Sequence, residues 1–344
     1  MSSPEATAPG EEVDVDLREV AWGDPFRAAG TVLAGGLLVA PLVVTSNYVG
    51  YVALLVLMFA VMAAGYNLML GWPNLLVFCP AALAIIGGVT SSLLAIEFGL
   101  PFIATLLVGG LVAAIIGTAV AASVIVIGSA FEVVIATLAF EQIVFYVFTN
   151  WERVGPTGIS GMPDPSLGPL VFSSQLSQYG FLLAVLVLVA FVVAAFDRSL
   201  FGTLSVATSE NEDLLRSIGY DPARYKLVSV VLGAFILGIG GALYAHVNGL
   251  ITPGSFTLDQ TVFLLVIAVV GGLRTVHGPA VGAILMVGLP EVVRSMGFGD
   301  FQPYIIGVTL IVVVLFLPSG IVGGIADRFD HFDNGGVSAW AFWR

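Results

Sequence analysis

Long runs of apolar residues follow one another along most of the chain. A helix of about 20 residues crosses a hydrocarbon core of about 30 Å. Candidate spans of about this length lie at 28–45, 49–70, 75–96, 101–127, 131–149, 179–196, 226–247, 259–272, 279–294 and 303–318. The pattern predicts an all-α polytopic membrane protein with eight to ten transmembrane helices.

Two of these spans, 259–272 and 279–294, are short and flank a break rich in glycine and proline. They are candidates for half-helices or a re-entrant pair, which a membrane tolerates where other protein shields the backbone. Glycine pairs recur along the chain, at Gly87-Gly88 and Gly271-Gly272 for example. They are compatible with an inverted duplication of the kind that transporters often contain.

The composition excludes a water-soluble protein. Of the 344 residues, 58% are hydrophobic and 10% are charged, with a mean hydropathy of +1.04. Soluble domains carry about 25% charged residues. The 41 glycines suit closely packed membrane helices, in which small residues let backbones approach.

The charges favour a cytoplasmic position for both termini. With an inward N-terminus and ten spans, most basic residues fall inside and two, Arg153 and Arg294, fall outside, as the positive-inside rule requires. The chain then divides into an acidic, disordered cytoplasmic tail at 1–27, a transmembrane domain at 28–318 and a cytoplasmic tail at 319–344. A net charge of −12 and a single lysine indicate a halophilic source, or merely an acidic tail with drift.

The outer loop, 150–178, is unusually long for a connector. It holds Gly155, Gly158, Gly161 and Pro163 among other prolines, which favour rigid turns over a helix. It is either a shaped platform or a plain link.

The inner loop, 197–225, contains signals for a short amphipathic helix. Ser209 and Glu212 have the spacing of a capping box, and Gly219 is a natural stop. The apolar stripe between them consists of Leu214, Leu215 and Ile218. Such a helix is unstable alone and needs a covering surface. Its acidic residues favour a groove in a partner protein over anionic lipid.

The chain lacks the motifs of enzymes and nucleotide-binding proteins. Cys79 is the single cysteine, and the histidines are too dispersed for a metal site. Lys226 is the single lysine, and its neighbours do not form a phosphate-binding loop. We therefore expect no catalytic activity, no cofactor and no metal in this chain. If transport consumes ATP, another subunit binds and hydrolyses it.

A few polar residues inside the spans are candidates for a transport pathway. Glu141 and Gln142 lie in the middle of 131–149. They either line a pathway or form a hydrogen-bonded contact between helices. His246, near the outer end of its span, is either a structural hydrogen-bonding group or a ligand. Glu291 and Arg294, three residues apart, are expected to form a local ion pair.

Several separated motifs, in this order and spacing, resemble the permease subunits of branched-chain amino acid ABC importers, on the LivM-like side. The resemblance covers about 65–320. It rests on Asn67-Leu68-Met69-Leu70-Gly71, the run from Gly155 to Pro163, Glu210-Asn211-Glu212, Gly219, Arg224-Tyr225-Lys226, Gly241-Ala242-Leu243-Tyr244-Ala245-His246, Gly271-Gly272-Leu273, Gly278-Pro279 and Leu289-Pro290-Glu291.

The resemblance implies a membrane complex of two permeases, two cytoplasmic ATPases that bind the ATP, and an external substrate-binding protein, with no nucleic acid. It also implies that the inner helix enters a groove of the ATPase. The residues implicated in coupling are Ser209, Glu210, Asn211, Glu212, Leu214, Leu215, Ile218, Gly219, Arg224 and Lys226. Those implicated in the pathway are Asn67, Asn74, Glu141, Gln142 and His246.

One segment departs from the family pattern. A polar run of the type Gly-Gln-x-Ser-x-Gly-His is usual after the position of Gly71, but residues 74–80 are mostly apolar here. Pro73 and Pro80 are candidates to replace glycine as the source of a kink. The resemblance implies transport of branched-chain or related amino acids. Urea or short amides, an ion-coupled secondary transporter and a membrane scaffold are the alternatives.

Overall fold

The computed structural model describes residues 31, 32, 35, 47–125, 130–167 and 170–295, with 307, 311, 315 and 320–322. These residues form a bundle of membrane helices with a few two-residue strands, which confirms the predicted all-α polytopic class. The predicted tails at 1–27 and 319–344 lie almost wholly outside the described residues. So do most of the predicted spans at 28–45 and 303–318.

Seven helical segments in the described residues are long and apolar enough to cross a membrane, and a shorter apolar helical stretch follows them. The helices are α1 (Asn47–Gly71), α2 (Pro80–Phe98), α3 (Phe102–Ile125), α4 (Ala130–Asn150), α5 (Gln175–Asp197), α6 (Leu200–Glu210), α7 (Glu212–Ser217), α8 (Pro222–Asn248), α9 (Leu258–Gly271), α10 (Gly278–Ala283) and α11 (Leu289–Ser295). The strands are β1 (Ile159–Ser160), β2 (Ser166–Leu167), β3 (Leu170–Val171) and β4 (Leu250–Ile251).

Helix α8 lies at the centre of the bundle and packs against α1, α2 and α3. Glycine makes this close approach possible. A Cβ atom added to Gly87 in α2 would lie 2.4 Å from the backbone of Gly238 in α8, closer than real Cβ contacts. Lipid tails are as apolar as the side chains, so no hydrophobic effect drives membrane helices together. Their association depends on close van der Waals packing, which small residues at the helix contacts allow.

Residues 72–79 are not helical, which corrects the predicted span 75–96: its helix begins at Pro80. Proline suits the first position of a helix, where its missing N–H has no partner in any case. The Tyr66 hydroxyl donates to the Val77 carbonyl at 2.8 Å, and the Phe78 N–H donates to the Thr137 hydroxyl at 2.9 Å. Irregular backbone inside a membrane is stable where protein groups satisfy it in this way.

The two short predicted spans pack against each other as a helical hairpin. A 3-10 turn at Pro253–Ser255 precedes α9. On the other side of the break, α10, a π-helical turn at Ile284–Gly288 and α11 follow one another without interruption.

The termini of the helices and the segments that connect them lie at the two opposite ends of the bundle. We call the end that holds Gly71, Asp197, α6, α7 and residues 272–277 the basic end. There the Trp72 indole N–H donates to Asp197 at 2.8 Å. His277 lies within 2.6 Å of the Thr31 hydroxyl, and burial lowers the pKa of this histidine from its ordinary value.

The opposite end of the bundle holds residues 151–167 and 170–174, β4 and the end of α11. Strand β1 pairs with β4 there, with Ile159 opposite Ile251. Tyr51 donates to Asn248 at 3.0 Å. Arg294 pairs with Glu291 at 3.6 Å, as predicted, and Tyr48 donates to the same carboxylate.

Candidate functional site

The inner loop folds as two helices, not one, and this corrects the predicted capping box. Ser209 lies in the last turn of α6, where its hydroxyl donates to the Val206 carbonyl at 2.7 Å. The N-cap of α7 is Asn211, whose side-chain oxygen accepts from the Leu214 N–H at 2.9 Å. Asparagine caps a helix as well as serine does, so the first free N–H groups of α7 are capped although the helix begins later than predicted.

The carboxylate of Glu212 holds α7 against α8. It forms an ion pair with Lys226, whose side chain is largely buried, and it also lies 3.5 Å from Arg216. The chain's single lysine, in the first turns of the central helix, thus holds the start of α7.

Gly219 ends α7, as the sequence predicted. Its φ of +90° is a conformation that side-chain-bearing residues rarely adopt. The Tyr220 N–H then donates back to the Leu215 carbonyl at 3.0 Å. Helix α8 begins at Pro222, after Asp221 has accepted from the Ala223 N–H at 3.1 Å.

The three residues of the predicted apolar stripe have two different environments. Leu215 is 4% exposed and packs inside the protein, whereas Leu214 and Ile218 are 59% and 62% exposed. Residues four apart share one helix face, and the adjacent residue is turned away by about 100°. The exposed pair, with the partly exposed Tyr220 beside it in sequence, forms a surface that we call the Leu214 patch.

Arg274 connects the inner helices to the membrane helices, a role that the sequence interpretation missed. Its Nε donates to the Gly71 carbonyl and its Nη2 to the Ser209 hydroxyl, both at 2.7 Å. Its φ of +59° is unusual for a residue with a side chain. The signal available in the sequence was a basic residue isolated between Gly271-Gly272 and Gly278-Pro279.

Asn67, a predicted pathway residue, belongs to this junction. Its side-chain oxygen accepts from the Arg274 N–H at 3.3 Å, and its amide donates to the Thr275 carbonyl at 3.0 Å. With an exposure of 1%, it positions the turn between α9 and α10.

Glu141 is buried between α4, α9 and the start of α2. The Thr261 hydroxyl donates to its Oε2 at 2.6 Å and accepts from the Ala81 N–H at 3.2 Å. Within the part of the chain that the structure describes, Glu141 Oε1 has no hydrogen-bond partner. This geometry favours the helix-contact interpretation of Glu141 over a pathway role.

The remaining pathway candidates lie apart from one another. Gln142 is exposed on the outward face of α4, and Asn74 is exposed on the irregular segment with a φ of +51°. His246 is buried and lies 3.0 Å from the Ser91 hydroxyl and 3.2 Å from the Pro163 carbonyl. The five predicted pathway residues therefore do not form one cluster.

The described part of the outer loop, 150–167 and 170–178, contains glycine turns and a strand, β1, that pairs with β4. Gly155, Gly158 and Gly161 all have positive φ values, of +62°, +77° and +84°. A Cβ atom on Gly158 would lie 2.0 Å from the Ile251 carbonyl oxygen, so the β1–β4 pairing requires glycine at this position. Pro163 is tied to α8 through His246.

No group of three histidine, cysteine, aspartate or glutamate side chains within the described ranges could hold a metal ion. The side chains at the basic end instead form a helix cap, an ion pair between α7 and α8, and an arginine that bridges α1 and α6. This arrangement holds α7 against α8 and connects α6 to α1.

Comparison with known proteins identifies relatives over most of the chain. Residues 48–315 match the model of a family described as branched-chain amino acid transport system / permease component. No solved structure matches the chain.

The relatives include the high-affinity branched-chain amino acid transport system permease protein LivM of Escherichia coli K12. It is 29% identical over 296 residues, covering 79% of this chain and 69% of the relative. The corresponding protein of Salmonella typhimurium LT2 is 28% identical with the same coverage. A probable LivM permease of Methanocaldococcus jannaschii is 25% identical over 205 residues, covering 55% of this chain and 59% of the relative.

Proposed function

Because this chain belongs to the family of permease components of branched-chain amino acid transport systems, we propose that it forms part of the pathway of an importer for branched-chain or related amino acids. Separate ATPase subunits power this importer, and a substrate-binding protein delivers the amino acid.

The Leu214 patch carries the proposal of an ATPase partner. Helix α7 has six residues, too few to be stable alone, yet it is capped, terminated and joined to α8. It presents Leu214 and Ile218 outward, next to the exposed charged residues Asp213 and Arg216. Exposed apolar side chains grouped in this way mark a protein contact. Glu210 and Asp213 next to them repel anionic lipid headgroups.

Arg274 provides a route from that contact to the membrane helices. A displacement of α6 and α7 would pull on the Ser209 hydroxyl, and Arg274 would transmit it to the end of α1. Packed interfaces convert such small shifts into a choice between discrete arrangements. In this proposal the closing ATPases drive that choice.

The charge distribution supports a cytoplasmic position for the basic end. Of the basic residues in the described ranges, Arg198, Arg216, Arg224, Lys226 and Arg274 lie at this end, and Arg153 and Arg294 lie at the other. Basic residues near membrane spans concentrate on the cytoplasmic side. The structured outer loop then faces the substrate-binding protein.

The exposed position of Gln142 supports the proposal that a second permease packs against α4. Its amide lies on an exposed helix face, halfway along an apolar span. Lipid tails cannot satisfy an amide group, and polar side chains at this depth usually face protein or a water-filled path. The proposed pathway runs between the two permeases along this face.

Replacing Leu214 by aspartate tests the ATPase contact. A buried unpaired charge in an apolar groove costs several kcal/mol, so affinity falls by about two to three decades. We expect Leu214→Asp to insert normally but to lose the ATPase subunits of its own transport system during co-purification. Leu215→Asp would be uninformative, because Leu215 packs inside the protein.

The matched control is Leu176→Asp, since Leu176 is 52% exposed at the opposite end of the bundle. We expect this variant to retain the ATPase subunits. Full ATPase retention by Leu214→Asp and by Ile218→Asp would refute the proposed contact.

A further inference from the structure

A cavity of about 300 Å³ opens between α2 and α4 at the end of the bundle opposite the basic end. Its walls are mostly apolar and include Leu93, Phe98, Phe148 and Trp151. The rings of Phe148 and Trp151 are stacked with their centroids 6.1 Å apart. The volume is at the lower limit of about 300–1,000 Å³ for small-molecule pockets, which suits a small ligand.

Two opposite charges also line this cavity. Glu97, in the last turn of α2, forms an ion pair with Arg153, in the turn that follows α4. Their side chains are 36% and 58% exposed, so both remain accessible from water. A solvated ion pair of this kind contributes about 0–1 kcal/mol, and a ligand can therefore displace it at little cost.

The two charges and the apolar walls are complementary to one class of molecule. A carboxylate accepts hydrogen bonds from an ammonium group, and a guanidinium donates two parallel hydrogen bonds to a carboxylate. An α-amino acid carries both groups on one carbon atom. The apolar walls leave a polar side chain with few partners other than Thr90, and buried polar groups without partners are strongly disfavoured.

We propose that this cavity binds an α-amino acid with an aliphatic side chain. The ammonium group lies on Glu97, the carboxylate on Arg153, and the side chain between Phe148 and Leu93. The identity of the ligand rests on the proposed function in amino acid transport. The site provides a first position for the substrate on the permease after its release from the binding protein.

The surroundings of the cavity connect it to the rest of the outer surface. Arg153 directly precedes the glycine-rich turns of the outer loop. Ser92 lies on α2 between the cavity-lining residues Thr90 and Leu93, and its hydroxyl donates to the Met162 sulfur at 2.8 Å. Arg153 thus places the cavity beside the loop that Pro163 and His246 join to the central helix.

Equilibrium binding of radiolabelled L-leucine to the full-length chain in lipid nanodiscs tests the proposal. We expect saturable binding that L-isoleucine and L-valine displace and that L-glutamate does not. Arg153→Gln and Glu97→Gln should each raise the Kd by about tenfold or more, because each removes a hydrogen bond to a charged group.

The matched control is Arg294→Gln. Arg294 is 60% exposed, forms an ion pair with Glu291 at the same end of the bundle, and lies outside the cavity. This variant should bind leucine as the unmodified chain does. Unchanged leucine binding in both Arg153→Gln and Glu97→Gln would overturn the site. The site would also be overturned if the unmodified chain bound no leucine and instead retained phospholipid in a way that depends on Arg153.

Uptake by cells that carry the complete transporter separates this site from the proposed function. If the complete transporter takes up leucine but the cavity variants bind and transport it normally, only the site is refuted. If the unmodified transporter takes up no branched-chain amino acid, the proposed function is refuted as well.

Discussion

The Thr261 hydroxyl satisfies two groups inside the membrane at once. It accepts from the Ala81 N–H, one of the first N–H groups of α2, which have no partner within their own helix. It also donates to Glu141. One turn earlier on α4, Thr137 accepts from the Phe78 N–H. These side chains allow an irregular backbone to enter a helical bundle.

Replacing Glu141 and replacing Thr261 should therefore have opposite effects. Glu141→Leu removes a buried oxygen that has no partner, and the Thr261 hydroxyl can then donate to the Thr257 carbonyl one turn earlier. We expect its thermal unfolding temperature and its uptake to match or exceed those of the unmodified chain. Thr261→Val leaves both the Ala81 N–H and Glu141 without a partner, at a cost of about 1–3 kcal/mol for each group.

Thermal unfolding in detergent and uptake by the assembled transporter measure the two effects. Loss of uptake in Glu141→Leu, with normal unfolding and normal assembly, would contradict the structural role and support a group in the pathway.

The sequence identified Glu141 as unusual but could not identify its partner. A carboxylate within an apolar span can be recognised from the sequence alone. Thr261, however, is 120 residues away, and their contact depends on how α4 and α9 pack. The same limit explains why Arg274 was missed, since its partners Gly71 and Ser209 come close only in the folded bundle.

At the scale of elements, α7 illustrates how local signals compete. Ser209 and Glu212 fit a capping box, but Asn211 caps equally well and lies after a first helix that the sequence interpretation did not predict. The stop at Gly219 was predicted correctly because it depends on one residue's backbone conformation. Which face of α7 is buried depends on α6 and α8, which explains why Leu215 was wrongly included in the exposed stripe.

The link between α6 and α1 predicts a non-additive pair of substitutions. Arg274→Ala loses hydrogen bonds to Gly71 and Ser209, and Ser209→Ala loses the second of these alone. If Arg274 transmits movement through Ser209, both variants reduce uptake while they retain the ATPase subunits. Uptake by the double variant should be no lower than uptake by Arg274→Ala. The effects of interacting residues do not add, and their coupling energies are about 0.5–3 kcal/mol.

Uptake rates and co-purification of the ATPases, measured on the two single variants and the double variant, complete this cycle. Additive losses would mean that the two side chains act independently, and the proposed route through this hydrogen bond would be wrong.

At the scale of the whole molecule, hydrophobic length predicted most spans closely. The span predicted at 49–70 is α1, Asn47–Gly71, and the one at 131–149 is α4, Ala130–Asn150. The error at 75–79 arose because an apolar segment buried in protein resembles an apolar helix facing lipid. The resemblance to branched-chain amino acid permeases is confirmed by the family match. The inverted repeat, the domain boundaries and the direction of the bundle remain predictions.

The direction of the bundle can be determined with two introduced cysteines. The native Cys79 is buried and should not react, so Cys79→Ala gives a background without reactive thiols. Ser160 in β1 and Ser217 in α7 are both exposed, at opposite ends of the bundle.

If the basic end is cytoplasmic, an impermeant maleimide added to intact cells should label Ser160→Cys and spare Ser217→Cys. After the cells are opened both should react, which shows that Ser217→Cys was spared by its location and not by burial. Labelling of Ser217→Cys but not of Ser160→Cys in intact cells would reverse the orientation. The Leu214 patch would then face away from the ATP in the cytoplasm, and the proposed ATPase contact would be impossible.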